Sequence, residues 1–274
     1  MPRMQREKHL AVWLRMLAEG EARLARDSKR LLKAQGSSAA NAYKASPSIP
    51  AVNEVIKKGE GNWQKVLMAH YAVTIKHLSD YTKEQLLGKK SKANFATRIQ
   101  DFISKQGLNK SKLITETTIE KARKIINDGQ SDGDSEQEIA DALELGIGGS
   151  VADSRASTIA RTETHNAATF AMQETSEEIQ DQNSFQMTRE WVAVEDDRTR
   201  EAHAVADGQE VGMDEPFDVD GEELDRPGDE SGSPENVINC RCTVIYHIQD
   251  SQGNETESEG DSSDDIGAGG FIGE

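Results

Sequence analysis

The stretch "ADSRASTIARTETHNAATFAMQETSEEIQ", Ala152 to Gln180, contains neither glycine nor proline. It constrains the fold more than any other segment, because a run of this length with helical spacing forms one long helix. Ala156, Ile159, Ala160, Glu163, Ala167, Phe170 and Ala171 share a face. That face needs a covering layer. After Asn183 the sequence turns short and β-branched, in "REWVAVEDDR" and "CRCTVIYHI", which read as strands. Between them lies a long acidic loop with glycine and proline, Gly208 to Pro234. The predicted class is therefore α+β, with a small antiparallel sheet of two or three strands packed on the long helix.

The chain before this helix is predicted to be mainly helical and extended. Leu10, Trp13, Leu14, Leu17, Leu24, Leu31 and Leu32 give residues 1–34 an amphipathic pattern, with Arg and Lys between them. "GSSAANAYKASPSIP", Gly36 to Pro50, reads as a linker. Residues 51–80 read as helix interrupted at "KKGEGN", Lys57 to Asn62. Two further helices are predicted, from Ala93 to Lys105 and from Ile114 until Gly129. Ser135 and Glu138 have the spacing of a capping box. The acidic loop Asp128 to Asp134 lacks the third and twelfth ligands of an EF-hand, so it is no calcium site. These elements divide the chain into a basic helical arm (1–113), an α+β unit (114–248) and an acidic tail (249–274). The tail is predicted to be disordered and solvated, with "GGFIGE" at its tip as the alternative docking peptide.

The formal net charge of −17 conceals two opposite halves. Residues 1–127 hold 25 Lys and Arg against 11 Asp and Glu, and residues 128–274 hold 7 against 38. The first half attracts nucleic acid or an acidic protein surface, and the second repels both. Hydrophobic residues make up 35% and aromatics 5% of the chain, which predicts a modest core and long helices. No apolar run is long enough to span a membrane. The charged N-terminus with Arg15 makes a poor signal peptide, and two cysteines without an export signal point to the reducing cytosol.

Those two cysteines form Cys240-x-Cys242, at the start of the last predicted strand. On a strand both sulfurs face one way, so with His203 they offer three soft ligands for zinc. A fourth could come from Asp197, His165 or His247. The spacing matches no common zinc finger or ribbon. The competing reading is two small, half-buried strand residues. A disulfide between them closes a strained ring. A Cys–His nucleophile lacks any oxyanion element or nucleophile turn nearby. Glu163 lies on an apolar face and needs a partner, and Arg198 and Arg241 are the candidates. The reading is a buried ionic lock between helix and sheet, against a general base with no pocket to serve. Trp191 is the predicted anchor of the small core. The basic half has no aromatic ladder, phosphate loop or helix-turn-helix signature, which leaves salt-dependent phosphate contact open.

"IARTETHNAATFA", then Trp191, then "DRTREAHAVADG", then "INCRC" and a strand, occur in an order that resembles the Mu F-like phage head morphogenesis family of minor head proteins. The matching positions are Arg161, Thr162, Glu163, Trp191, Asp197, Arg198, His203, Gly208, Asn239, Cys240, Arg241 and Cys242, within residues 114–248. The resemblance implies a structural minor capsid component rather than an enzyme. It implies a few copies at the portal vertex of the virion, assembled in the host cytoplasm. Implied partners are the portal protein, the major capsid or scaffold protein, and packaged DNA, with effects on packaging or ejection. Some relatives carry cysteines where this chain has Arg200 and His203, which suggests exchanged metal ligands, with one lost here at Arg200. Some larger relatives append ADP-ribosyltransferase domains, for which the acidic tail has no room. Two other functions compete: a zinc- or thiol-dependent hydrolase using His203, Cys240 and Cys242, and a nonspecific DNA-binding protein acting through residues 1–127.

Overall fold

A computed structural model of the chain describes residues 3–88, 97–183 and 186–249. The expected tail lies outside these residues, as does the start of the helix predicted from Ala93.

Helix α1 (Arg3–Ala45) packs mainly on α5 (Glu136–Gly148) and α6 (Val151–Asn183). Helix α2 (Ile49–Lys58) is capped by Ser48, whose hydroxyl accepts from the Ala51 N–H. It breaks at Gly59, within the interruption predicted at Lys57 to Asn62, and α3 (Glu60–Leu87) follows. Helix α4 (Thr97–Asp132) lies against α3, and α3 also lies against α6. Ser135 and Glu138 form the predicted capping box of α5. The border drawn at residue 113 falls within α4, and the helices on either side of it share one core.

The linker expected from Gly36 to Pro50 is instead helix as far as Ala45. The reason is tertiary. A Cβ on Gly36 would sit 2.8 Å from the Gly148 backbone nitrogen, so α1 and α5 cross with their backbones nearly touching. Ala39, Ala40 and Tyr43 then bury against Ile139, Leu143 and Ile147 in a second core. Small residues that look like a flexible joint are the ones that permit this crossing. The helix ending at Gly129 by prediction likewise runs on to Asp132.

The sheet is antiparallel, in the order β2–β1–β5: β1 spans Gln186–Val192, β2 Glu210–Gly212 and β5 Thr243–Gln249. Trp191 faces Val244 across β1 and β5. The predicted acidic loop is more ordered than its composition suggests. It holds β2 and a separate hairpin of β3 (Phe217–Val219) and β4 (Glu222–Leu224), turned by Asp220 and Gly221 at φ 57° and 79°. Two short helices, α7 (Glu201–Ala206) and α8 (Pro234–Val237), flank the loop. Trp13, Leu17, Ala167, Trp191, Phe217, Cys240 and Val244 share one core, so the first helix and the last strand fold together.

Candidate metal centre

The chain leaves β1 through Ala193 and turns at Asp196, whose carbonyl accepts the Thr199 N–H at 2.9 Å. It then enters α7, which buries His203 to 2% exposure. From the other side, α8 ends at Val237 and Asn239 adopts a left-handed φ of 58°. That reversal turns Cys240 and Cys242 inward, to 2% and 3% exposure. The cysteines precede β5 rather than starting it, yet their sulfurs still converge. The His203 Nδ1 lies 3.7 Å from the Cys240 Sγ and 3.3 Å from the Cys242 Sγ. All three ligand atoms lie within 4.8 Å of one another.

Hydrogen bonds from distant elements hold this segment. The Trp13 indole donates to the Arg241 carbonyl at 3.0 Å, and His165 Nε2 donates to the Cys242 carbonyl at 2.7 Å. Arg200 reaches the Ile238 carbonyl at 2.5 Å, and the Thr162 hydroxyl accepts the Asn239 N–H at 3.3 Å. Gly208, at φ +78°, donates its N–H to the Trp191 carbonyl and closes the turn after α7. The Trp191 ring, fully buried, stands edge-on to His203 at 5.8 Å and to Phe217 at 5.3 Å.

Both cysteines are free thiols. The Cys242 thiol is pushed well above its usual range, because its S–H bonds to Cys240 and burial disfavours a second thiolate. Burial is the largest influence on Cys240 and opposes its ionisation, but the hydrogen bonds from Cys242 and the Arg241 backbone, together with the Arg200 charge, outweigh it and bring that thiol lower. Two sulfurs and one imidazole nitrogen in a water-poor setting suit a thiophilic cation. The expected fourth ligands do not join them. Asp197 is exposed, His165 is turned to the Cys242 carbonyl, and His247 donates to Glu190 at 3.0 Å.

The ionic lock expected between Glu163 and Arg198 or Arg241 does not form. Glu163 accepts a hydrogen bond from the Tyr71 hydroxyl at 2.6 Å and lies 3.9 Å from the Lys110 ammonium, so its partners come from α3 and α4. Burial raises its pKa, with Lys110 and Tyr71 opposing. Arg241 instead forks onto Asp196 at 2.7 and 2.5 Å. Arg198 is largely exposed beside the same carboxylate at 3.6 Å. Helices α3 and α4 cover the Glu163 face of α6 before the sheet can reach it.

Sequence reasoning missed Arg189. It is 1% exposed, and its guanidinium donates to the carbonyls of Gly212, Glu215 and Asp225 at 3.2, 2.6 and 2.5 Å. It also lies over the Phe217 ring at 5.2 Å. A buried arginine thus organises the acidic loop. The alternation in "MTREWV" signals a strand but not which strand face receives a charge.

Residues 118–245 match the family described as phage Mu protein F like protein. The matched segment is just under half of the chain, and it supports the Mu F-like family for that part of the protein. The His203–Cys240–Cys242 cluster, Trp191 and the Asp196–Arg241 fork all lie inside the matched segment. Within a shorter stretch it is 36% identical over 87 residues to NAD(+)--arginine ADP-ribosyltransferase EFV of Enterococcus faecalis (strain ATCC 700802 / V583). That stretch is 32% of this chain and 18% of the transferase, so the chain spans under a fifth of that relative's length. No solved structure matches the chain. Among the described residues, no helix of the chain is long and apolar enough to cross a membrane.

Proposed function

We propose that this protein acts in phage head morphogenesis, as a minor capsid component that binds the portal vertex during procapsid assembly and stays in the head. The observation that carries the reading is the family match over residues 118–245. The surface chemistry agrees with it. On α1, Lys8, Arg15, Arg26, Arg30 and Lys33 are exposed and outnumber the exposed acids Glu7 and Glu19. An acidic portal surface is the complementary partner, and contacts to major capsid or scaffold protein belong to the same assembly step. The role is structural rather than catalytic, in keeping with the family.

Co-expression with the portal protein of the same phage, followed by copurification, tests this. A complex of fixed ratio is the expected result. A chain that neither copurifies with the portal nor enters mature particles overturns the reading.

The same basic face suits a second contact, with packaged DNA, through which the protein would influence packaging or ejection. Such binding ignores sequence and weakens steeply as salt rises. A flat salt response removes the DNA contact and leaves the portal reading standing.

A further inference from the structure

We propose that His203, Cys240 and Cys242 bind one Zn2+ ion, which clasps α7 to the turn that precedes β5. This goes beyond the assembly role and does not depend on it. The separation of the ligand atoms comes first. Zinc bonds sulfur at about 2.3 Å and imidazole nitrogen at about 2.0–2.1 Å, so tetrahedral geometry places nitrogen and sulfur about 3.5 Å apart. The two nitrogen–sulfur distances here are 3.3 and 3.7 Å. Both nitrogen–sulfur separations fit one tetrahedral zinc ion, and all three ligand atoms lie within 4.8 Å of one another.

The energetics of the imidazole point the same way. His203 is buried, its Nε2 has no hydrogen-bond partner among the described residues, and its Nδ1 meets only sulfur. Thiols are weak hydrogen-bond partners, so as an apo cluster this imidazole is poorly compensated for lost water. Coordination through Nδ1 supplies that compensation and turns two buried thiols into ligated thiolates. The donor set also selects the metal. Two thiolates and an imidazole favour zinc over magnesium or calcium, which take oxygen.

The scaffold explains what the ion accomplishes. His203 and Cys240 are 37 residues apart, with β2, the β3–β4 hairpin and α8 between them. An ion shared by both ends closes this loop, and binding energy becomes folding energy. The turn is already aimed from outside by Trp13, His165 and Arg200, which hold the carbonyls of Arg241, Cys242 and Ile238. Three protein ligands leave one tetrahedral position, which a water fills. His203, Cys240 and Cys242 are all buried to 3% exposure or less, so the ion serves as a clasp rather than a reaction centre.

The test uses the full-length chain, stripped of metal under reducing conditions and titrated with Co2+ and then Zn2+. One equivalent of Co2+ should produce thiolate-to-metal charge-transfer absorption with tetrahedral d–d bands, and Zn2+ should displace it. Zinc should also raise the melting temperature and shield both thiols from alkylation. Cys240→Ser and Cys242→Ser should each remove about half of the charge-transfer intensity and weaken affinity at least about tenfold. Circular dichroism of the wild-type chain keeps the test decisive if a variant fails to fold. A folded wild-type chain that takes up neither ion overturns the proposal. So does uptake that both serine variants leave unchanged, or quantitative isolation of a Cys240–Cys242 disulfide from a reducing cytosol.

Discussion

The indole N–H of Trp13 donates to the carbonyl of Arg241 at 3.0 Å, across 228 positions of sequence. Trp13 is fully buried and edge-on to His165 at 5.8 Å. A helix of the basic half therefore completes the hydrogen bonding of the cysteine turn. Trp13→Ala should destabilise the protein by ~3–5 kcal/mol. Trp13→Phe, which keeps most of the volume but strands the carbonyl, should cost ~1–3 kcal/mol. Urea unfolding measures both. Equal losses for the two variants would show that packing alone matters there.

Arg189 should be harder to replace than any exposed arginine. Its guanidinium ties together the carbonyls of Gly212, Glu215 and Asp225, of which the Gly212 carbonyl also accepts the Glu215 N–H at 3.2 Å. Arg189→Met should cost on the order of 3–5 kcal/mol, because buried acceptors lose a charged donor. Limited proteolysis should then cut first between residues 208 and 234. Unchanged protease resistance would refute the organising role.

The docking of α1 should weaken in mild acid. The His9 ring lies 3.3 Å from the Tyr81 hydroxyl and 3.4 Å from that of Thr243. Burial lowers its pKa from 6.5 to about 4, against the opposing pull of the Glu190 carboxylate. The unfolded chain binds a proton that the folded chain refuses. Its contribution is thus full above pH 6.5 and is lost as pH falls towards about 4. His70, lowered to about 3 by burial, acts in the same direction. His9→Gln should flatten the fall in melting temperature between pH 6.5 and 4, by the equivalent of up to ~3 kcal/mol.

Glu163 has the opposite sign. Burial raises its pKa above 4.5, so the folded state holds the proton more tightly than the unfolded one. Its contribution is present below pH 4.5 and is lost as pH rises through the folded-state value. Glu163→Gln keeps an acceptor for Tyr71 without the charge. The variant should gain on the wild type as pH rises from 4.5 to 7. A gap that moves the other way would mean that the Lys110 ion pair outweighs desolvation.

The fork between Asp196 and Arg241 holds the Asp196 carboxyl well below the usual carboxylate range. Asp196 is about one-third exposed, so solvent screens the pair. Asp196→Asn should cost no more than ~1 kcal/mol at neutral pH, and less at high salt. The wild-type contribution should vanish only as pH falls below the ordinary aspartate range. Arg241→Lys should not substitute fully, because an ammonium cannot make both bonds.

The sequence by itself determined the elements whose chemistry is local. The glycine-free α6, the Ser135–Glu138 cap, the break at Gly59 and strands β1 and β5 follow from periodicity and capping within a few residues. The order of Thr162, Trp191, His203 and the cysteines was also enough to indicate the family. The partners of buried charges were decided only by tertiary structure. Counting cations pointed Glu163 towards Arg198 and Arg241, whereas packing of α3 and α4 delivered Tyr71 and Lys110. Gly36 reads as the start of a linker until Gly148 is seen 2.8 Å from where its Cβ would lie. Arg189 looks like an ordinary strand residue until the loop wraps its carbonyls around it. Each of these outcomes depends on which surfaces meet, and the local pattern of a chain does not encode that.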